Sequence, residues 1–337
     1  MTGATLAFIV IAAAAISAGL IVALRPLLLR YALARPNARS SHVAPTPQGG
    51  GIAVVIAIVA VVAAASFGLH VVETDPRWFG LLFGATILIA IIGAIDDIHA
   101  LRVAPRMVLQ AVAVALMLAA LPAELRVVPA LPWWFERALM LIAGLWFVNL
   151  TNFMDGIDWI VVAEVVPITL TLGALALIGA LPQHAAVMAL ALCGAMLGFA
   201  PFNKPVARLF LGDVGSLPIG LLLAWLLVTL AGQGHLIAAL LLPLYFAADA
   251  TITLGRRIHR RERIWEAHRS HFYQRATAGG FTVGEVVARV FAINVLLALL
   301  AFATVRYAKP PMGVAAMAMA VALVGWLLWS FDQGKRR

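Results

Sequence analysis

Eleven apolar runs separated by short polar stretches occupy most of this 337-residue chain, and they restrict what it can fold into. They cover residues 4–24, 51–69, 79–95, 107–121, 138–150, 160–180, 185–200, 216–231, 236–255, 286–303 and 312–331. A membrane-spanning helix needs about 20 mostly apolar residues. With 64% hydrophobic and 12% charged residues, the chain holds about half the charge of an ordinary soluble domain. A soluble fold would expose much of this apolar surface as patches, whereas a bilayer removes that difficulty. The expected fold is therefore an all-α polytopic membrane helix bundle of about eleven transmembrane helices. No polar stretch is long enough for a separate domain, so residues 1–337 read as a single integral-membrane domain.

The run 138–150 is short, and the boundary before the seventh run rests on the turn Pro182-Gln183-His184. No internal repeat is evident. The first run is expected to stay attached as a span, because no basic residue precedes it and Arg25 and Arg30 follow it directly. Cys193 is the only cysteine, so no disulfide or cysteine metal cluster forms within one chain.

Charge orients the spans. With the C-terminus inside, 18 basic residues fall on the inner side, among them Arg25, Arg102, Arg106, Lys204 and the arginine-rich stretch 256–275. Five fall outside: Arg77, Arg126, Arg137, Arg306 and Lys309. The bias follows the positive-inside rule and predicts an N-terminus outside and a cytoplasmic C-terminus. Asp96, Asp97, Asp155, Asp158 and Asp213 then lie in three inner loops, each at the end of an apolar helix. An aspartate near hydrocarbon costs about 3 kcal/mol unless compensated. Five acids converging on one face point to a divalent cation.

Five inner segments carry chemistry. Residues 36–42 and 45–51 include Asn37, Arg39 and Thr46 among prolines and glycines, and their amides suit an anionic ligand; alone, the segment reads as an interhelical loop. Asp96-Asp97, with Arg106 following, is a repelling carboxylate pair suited to a metal or to taking a proton from a phosphate. Asn149, Asn152, Asp155 and Asp158 recur every three residues, forming one drifting polar stripe if helical. Oxygen ligands of this kind suit Mg2+ together with substrate phosphates. Asn203 precedes Gly212-Asp213-Val214-Gly215-Ser216, where the glycines admit backbone and substrate. His268, Arg269 and His271 suit phosphate oxygens, while Arg256, Arg257, Arg260 and Arg261 read mainly as contacts to anionic lipid headgroups. Asp249, inside a span, reads as a partner of Arg256 or Arg257 two turns on. Glu164 has no partner visible in the sequence.

As a set, these segments resemble the polyprenyl-phosphate N-acetylhexosamine-1-phosphate transferase superfamily (glycosyltransferase family 4), from about Pro36 to Arg275 and in the family's order. Asn149 to Asp158 is similar to its Asn-x-x-Asn-x-x-Asp-Gly-x-Asp signature, and Gly212 to Ser216 to its Gly-Asp-x-Gly-Ser. The resemblance implies that Asp96 and Asp97 are its aspartate pair, one of them deprotonating the lipid phosphate. It implies that Asn152 and Asp213 hold Mg2+, for which Mn2+ is a substitute, and that Asp155 and Asp158 serve donor binding or catalysis. His268 and His271 match the outer histidines of the family's His-x-His-His motif. Two departures stand out: Ser270 replaces the middle histidine, and Trp159 replaces the glycine that usually follows the last aspartate. His268 to Arg275 is similar to the O-antigen-initiating branch.

The expected reaction is attack by undecaprenyl phosphate on a UDP-sugar, with UMP leaving. The sugar phosphate transferred would be HexNAc-1-phosphate, from GlcNAc or a 6-deoxy aminosugar such as FucNAc. Asn37, Arg39, Thr46, Arg106, Asn149, Asn203 and Arg269 are the expected substrate-binding residues. Expected partners are the two substrates and membrane lipids, without nucleic acid, and a homodimer is compatible with the sequence. The expected location is the bacterial inner membrane, with the active site at its cytoplasmic face. The rival reading is a transporter of an anionic solute, whose polar residues belong near the bilayer midplane.

Overall fold

The computed structural model describes residues 3–34, 46–73, 75–263, 268–307 and 310–335. Asn37 and Arg39 lie outside the described residues. Thirteen α-helices make up nearly all the regular structure described. In chain order they are α1 (Gly3–Tyr31), α2 (Gly50–Ala63), α3 (Pro76–Ile98), α4 (Val103–Ala119), α5 (Trp133–Met154), α6 (Ile160–Leu177) and α7 (Gln183–Phe199). There follow α8 (Asp213–Gly232), α9 (Leu236–Leu241), α10 (Leu244–His259), α11 (Phe272–Ala278), α12 (Val283–Tyr307) and α13 (Pro310–Gln333). Among the described residues, eight helical stretches are long and apolar enough to cross a membrane, and α4 and α7 are shorter apolar helices.

All eleven expected runs fall on helices, with one difference of substance. The run 236–255 is divided into α9 and α10 at Leu242-Pro243. Proline brings no amide hydrogen and its ring clashes with the preceding turn, so a continuous helix is interrupted there. The short run 138–150 belongs to a 22-residue helix, α5, whose N-terminal turn contains Glu136. Glu136 accepts hydrogen bonds from the backbone of Val127 (2.6 Å) and Val128 (2.8 Å) and pairs with Arg126, which keeps its charge satisfied in an otherwise apolar element.

The helix α8 is the axis of the bundle, buried along nearly its whole length, with α2, α3 and α5 packed around it. On the far side α7 packs against α1, α2 and α6, and α6 packs against α12. The outer helices present apolar side chains outward, including Phe8, Ile11, Ile142, Trp326 and Trp329. Such a girdle suits hydrocarbon, where helices satisfy their own backbone groups. Glu164 of α6 finds its partner across the α6–α12 interface: Asn294 Nδ2 donates to its carboxylate at 2.7 Å and to Ala163 O at 3.0 Å. The partner lies 130 residues away and is visible only once the helices pack.

Two short strands, β1 (Leu33–Ala34) and β2 (Thr46–Pro47), pair antiparallel beside α1. Thr46 is buried there. The chain after β2 is fixed to the approach of α8, with Gly50 N donating to Phe210 O and Gly51 N to Leu211 O, both at 2.9 Å. The glycine-rich stretch that begins α2 is therefore held next to Gly212-Asp213.

Candidate active site

The C-terminal ends of α3 and α5 and the N-terminal end of α8 meet at one end of the bundle. Asp97, in the last turn of α3, accepts hydrogen bonds from the backbone N–H groups of Asp213 (3.0 Å) and Val214 (3.1 Å). These are among the amides that open α8 and have no partner within that helix, so Asp97 satisfies them where the helix dipole favours negative charge. The approach depends on two glycines. A Cβ on Gly93 would lie 2.3 Å from the carbonyl oxygen of Asp213, so α3 and α8 meet this closely only because none is there. Gly212 adopts φ +77, a left-handed conformation that places α8's first amides over Asp97. Gly93→Ala is expected to push α8 off α3 at a cost of about 1–3 kcal/mol. A lowered melting midpoint in detergent together with reduced activity would show it.

From α5, Asn152 Nδ2 donates to Asp213 Oδ1 at 2.7 Å and to Ser216 Oγ at 2.9 Å. Asp155 caps the same helix one turn on. Its carboxyl is pushed up to about 8, first by desolvation and then by the negative charges of Asp213, Asp97 and Asp158. Acids from all three segments thus act on one another. Their repulsion is relieved by protonation or by a cation.

Five other members of the expected site, Asp96, Arg106, Asp158, Asn149 and Asn203, are engaged with the protein itself. Asp96 accepts from Leu101 N and from Arg106 Nη1, both at 2.6 Å, so Arg106 is turned to the carboxylate and not outward to a ligand. Asp158 accepts from Ala207 N at 3.0 Å, tying the 200–211 connection to the end of α5. Asn149 donates to Gln110 Oε1 (2.9 Å) on α4 and to Leu145 O (2.8 Å), deep between helices. Asn203 accepts from Trp159 N at 2.7 Å and donates to Leu209 O at 3.0 Å. The expected stripe is split accordingly: Asn152 and Asp155 line the convergence, while Asn149 and Asp158 brace what surrounds it. Helix α5 ends at Met154, so the three-residue period stops being helical before Asp158.

Trp159 explains its own departure from the expected glycine. It has φ +65, a backbone region costly for side chains other than glycine. The hydrogen bond to Asn203 and a second from Trp159 Nε1 to Ala200 O hold it there.

The basic segment also reaches this end of the molecule. The rings of His268 and His271 stack with centroids 5.0 Å apart. Ser270, in place of the expected middle histidine, puts Oγ 2.8 Å from His268 Nδ1. Arg269 is exposed. Tyr273 OH donates to Phe153 O at 3.0 Å, joining the segment to the turn that bears Asp155. Asp249 differs from expectation. It is bound to His271 Nδ1 and not to Arg256 or Arg257. Arg257 pairs instead with Glu262, and Arg256 lies over the Phe272 ring and pairs with Asp332.

Gln48 is a further site neighbour that its sequence position left unassigned. Its Nε2 donates to Asp97 O at 3.0 Å, so the 46–51 stretch supports the aspartate pair directly. Only the adjacent glycines hinted at such a role.

Among the described residues, no three His, Cys, Asp or Glu side chains form a ready-made metal cage. Mg2+ usually takes one or two carboxylates and completes its shell with water and substrate phosphates. The donor set here is of hard oxygens. Were a cation bound there, Asp213 would offer a carboxylate oxygen and Asn152 its amide oxygen, since the Asn152 nitrogen is spent on Asp213 and Ser216.

An all-α membrane bundle with acids from three helix ends gathered at one end is the class of protein that fold and site define. The family model for glycosyl transferase family 4 matches residues 78–231. A probable undecaprenyl-phosphate N-acetylglucosaminyl 1-phosphate transferase of Bacillus subtilis is 27% identical over 278 residues, covering 80% of this chain and 76% of the relative. A decaprenyl-phosphate N-acetylglucosaminephosphotransferase of Mycolicibacterium smegmatis is 28% identical over 340 residues, covering 89% and 81%. Its counterpart in Mycobacterium tuberculosis is 33% identical over 221 residues, but the match spans 60% of this chain and only 54% of that protein. The chain is thus similar to glycosyl transferase family 4 over residues 78–231 and to polyprenyl-phosphate N-acetylglucosamine-1-phosphate transferases over most of its length.

Proposed function

We propose that this chain transfers a HexNAc-1-phosphate from a UDP-sugar to a polyprenyl phosphate at the cytoplasmic face of a bacterial inner membrane. A lipid phosphate oxygen attacks the sugar-linked phosphorus, the bond to the bridging oxygen of the pyrophosphate breaks, and UMP leaves with that oxygen. The observation that carries the reading is the meeting of Asp97, Asn152, Asp155 and Asp213 at one end of the bundle. A transporter would carry such residues near mid-membrane.

The obstacle to the reaction is that two anions must meet. Asn152 and Asp213 would hold Mg2+ together with the pyrophosphate, and the ion would supply electrostatic stabilisation of the transferring group. Asp97 orients the opening of α8, so that Asp213 faces Asn152. Its carboxylate retains lone pairs beyond the two amide bonds and stands as the base for the lipid phosphate. A lipid phosphate is largely ionised near neutral pH already, with a second pKa near 6, so the base is an aid and not a requirement. His268, Arg269 and His271 would absorb negative charge on the donor.

The donor is read as UDP-GlcNAc or a UDP-6-deoxy aminosugar such as UDP-FucNAc, and the product as the first lipid-linked intermediate of O-antigen or another envelope polysaccharide. The supporting observation is the His268-to-Arg275 stretch. A panel of UDP-sugars incubated with undecaprenyl phosphate in detergent, with lipid products identified by mass, tests both substrates. UMP release requiring both substrates is expected, and transport of the nucleotide-sugar without product would overturn the reading. Chelation with excess EDTA is expected to stop UMP release and Mg2+ to restore it. Undiminished release after chelation would remove the metal from the mechanism.

A further inference from the structure

Asp249 lies inside α10, fully buried, where an uncompensated carboxylate costs about 3 kcal/mol. Five donors meet it. Oδ1 accepts from His271 Nδ1 (3.1 Å), Phe272 N (3.1 Å) and Thr253 Oγ1 (3.3 Å). Oδ2 accepts from Tyr273 N (3.2 Å) and Tyr245 OH (3.3 Å). His271, Phe272, Tyr273, Tyr245 and Thr253 are all buried as well. One side chain thus grips three consecutive residues, 271 to 273, from a helix more than twenty positions away.

Two consequences follow from the chemistry. A carboxylate only accepts, so His271 must carry a proton on Nδ1, and Nε2 is the nitrogen left to meet a phosphate oxygen. The second runs through Tyr273, whose hydroxyl donates to Phe153 O at the end of α5. The same hydroxyl lies so close over Gly156 that a Cβ there would be 2.1 Å from it. Phe153 faces the His271 ring with centroids 6.4 Å apart. The grip on 271–273 therefore reaches the turn between Asn152 and Asp158.

We propose that Asp249 is a positioning residue for the transfer reaction. It fixes the proton of His271 on Nδ1 and, through Tyr273, seats the basic segment against the end of α5 that bears Asn152 and Asp155. The proposal rests on reading this end of the bundle as the transferase site. Its geometric part stands apart from that reading and is tested apart from it.

The test combines 15N-histidine NMR of the full chain in detergent with steady-state kinetics on the UDP-sugar and undecaprenyl phosphate. In the unmodified protein, at a pH where the ring is neutral, His271 is expected as the Nδ1–H tautomer, and Asp249→Asn is expected to shift its 15N signals. An Nε2–H tautomer would overturn the proposal whether or not the chain shows transferase activity. In the assay, Asp249→Asn should lower kcat about 10–100-fold, the range for partners that orient a functional histidine, with little change in the KM for donor. Combined with His271→Ala, Asp249→Asn should add little, because both act through one imidazole. Losses that simply multiply would overturn the coupling. Tyr273→Phe keeps the ring and removes only the hydroxyl. It should lower kcat with the melting midpoint nearly unchanged, and it carries the kinetic test if Asp249→Asn does not fold. Unaltered kcat in Tyr273→Phe would sever the link to α5. Absence of activity in the unmodified chain, with the Nδ1–H tautomer present, would instead count against the transferase reading.

Discussion

Asp213→Ala is expected to abolish turnover while leaving the bundle folded. Asp213 opens α8, and its carboxylate is held by Asn152 at 2.7 Å, whereas the rest of that helix is anchored by apolar contacts along nearly its whole length. Alanine keeps the backbone N–H that Asp97 accepts, so the contact between α3 and α8 survives. What is lost is the carboxylate oxygen proposed to hold the metal and the transferring pyrophosphate. Removing one group aimed at charge that develops in a transition state typically costs about 100- to 1,000-fold, and a metal ligand belongs at the upper end. Lipid product measured by mass should fall by at least that factor, with the detergent melting midpoint close to that of the unmodified protein. Activity retained within about tenfold would remove Asp213 from the metal site. Asp213→Asn, which preserves shape, separates loss of charge from loss of packing.

Asp97→Asn is expected to damage both architecture and rate. Asp97 spends one oxygen on Asp213 N and the other on Val214 N. An asparagine has one acceptor oxygen, so its amide nitrogen must face one of these N–H groups. An unsatisfied donor buried in this way costs about 1–3 kcal/mol. The negative charge that would take a proton from the lipid phosphate disappears at the same time. A measurable drop in melting midpoint should accompany a fall in kcat of about 100-fold or more, since general-base catalysis contributes about 100- to 10,000-fold. Donor affinity, measured by nucleotide-sugar titration, should change less than kcat. A variant that melts normally and turns over normally would show that Asp97 is neither the cap of α8 nor the base. The two variants thus probe different parts of one junction: Asp213 is the proposed ligand-facing group, and Asp97 caps the start of α8 that carries it.

The histidine-bearing segment shows why some of the site resisted a reading by sequence. His268 and His271 were visible as a motif, but Asp249 was placed with the arginines next in its own helix, because local spacing offers no other partner. Packing brings the α11 turn beneath α10, and a carboxylate enclosed on all sides takes the donors that geometry presents. Asn149 and Asn203 show the reverse. Both are expected from the sequence to bind substrate, and in the fold their amides brace a helix junction and a loop junction. Gln48 and Ser216 joined the site because the chain crosses there.

Apolar runs and their polar breaks determined, from the sequence alone, the helical membrane fold and which interhelical segments carry acids and bases. Both are set by local composition: hydrocarbon demands long apolar helices, and charged residues are tolerated there only where a partner or a ligand repays them. The tertiary structure alone decided which acid meets which amide, that α9 and α10 part at Pro243, and that Asp249 grips His271. Those outcomes depend on distances of a few ångströms between residues as many as 130 positions apart, and at the α3–α8 junction on how closely glycine-faced helices approach.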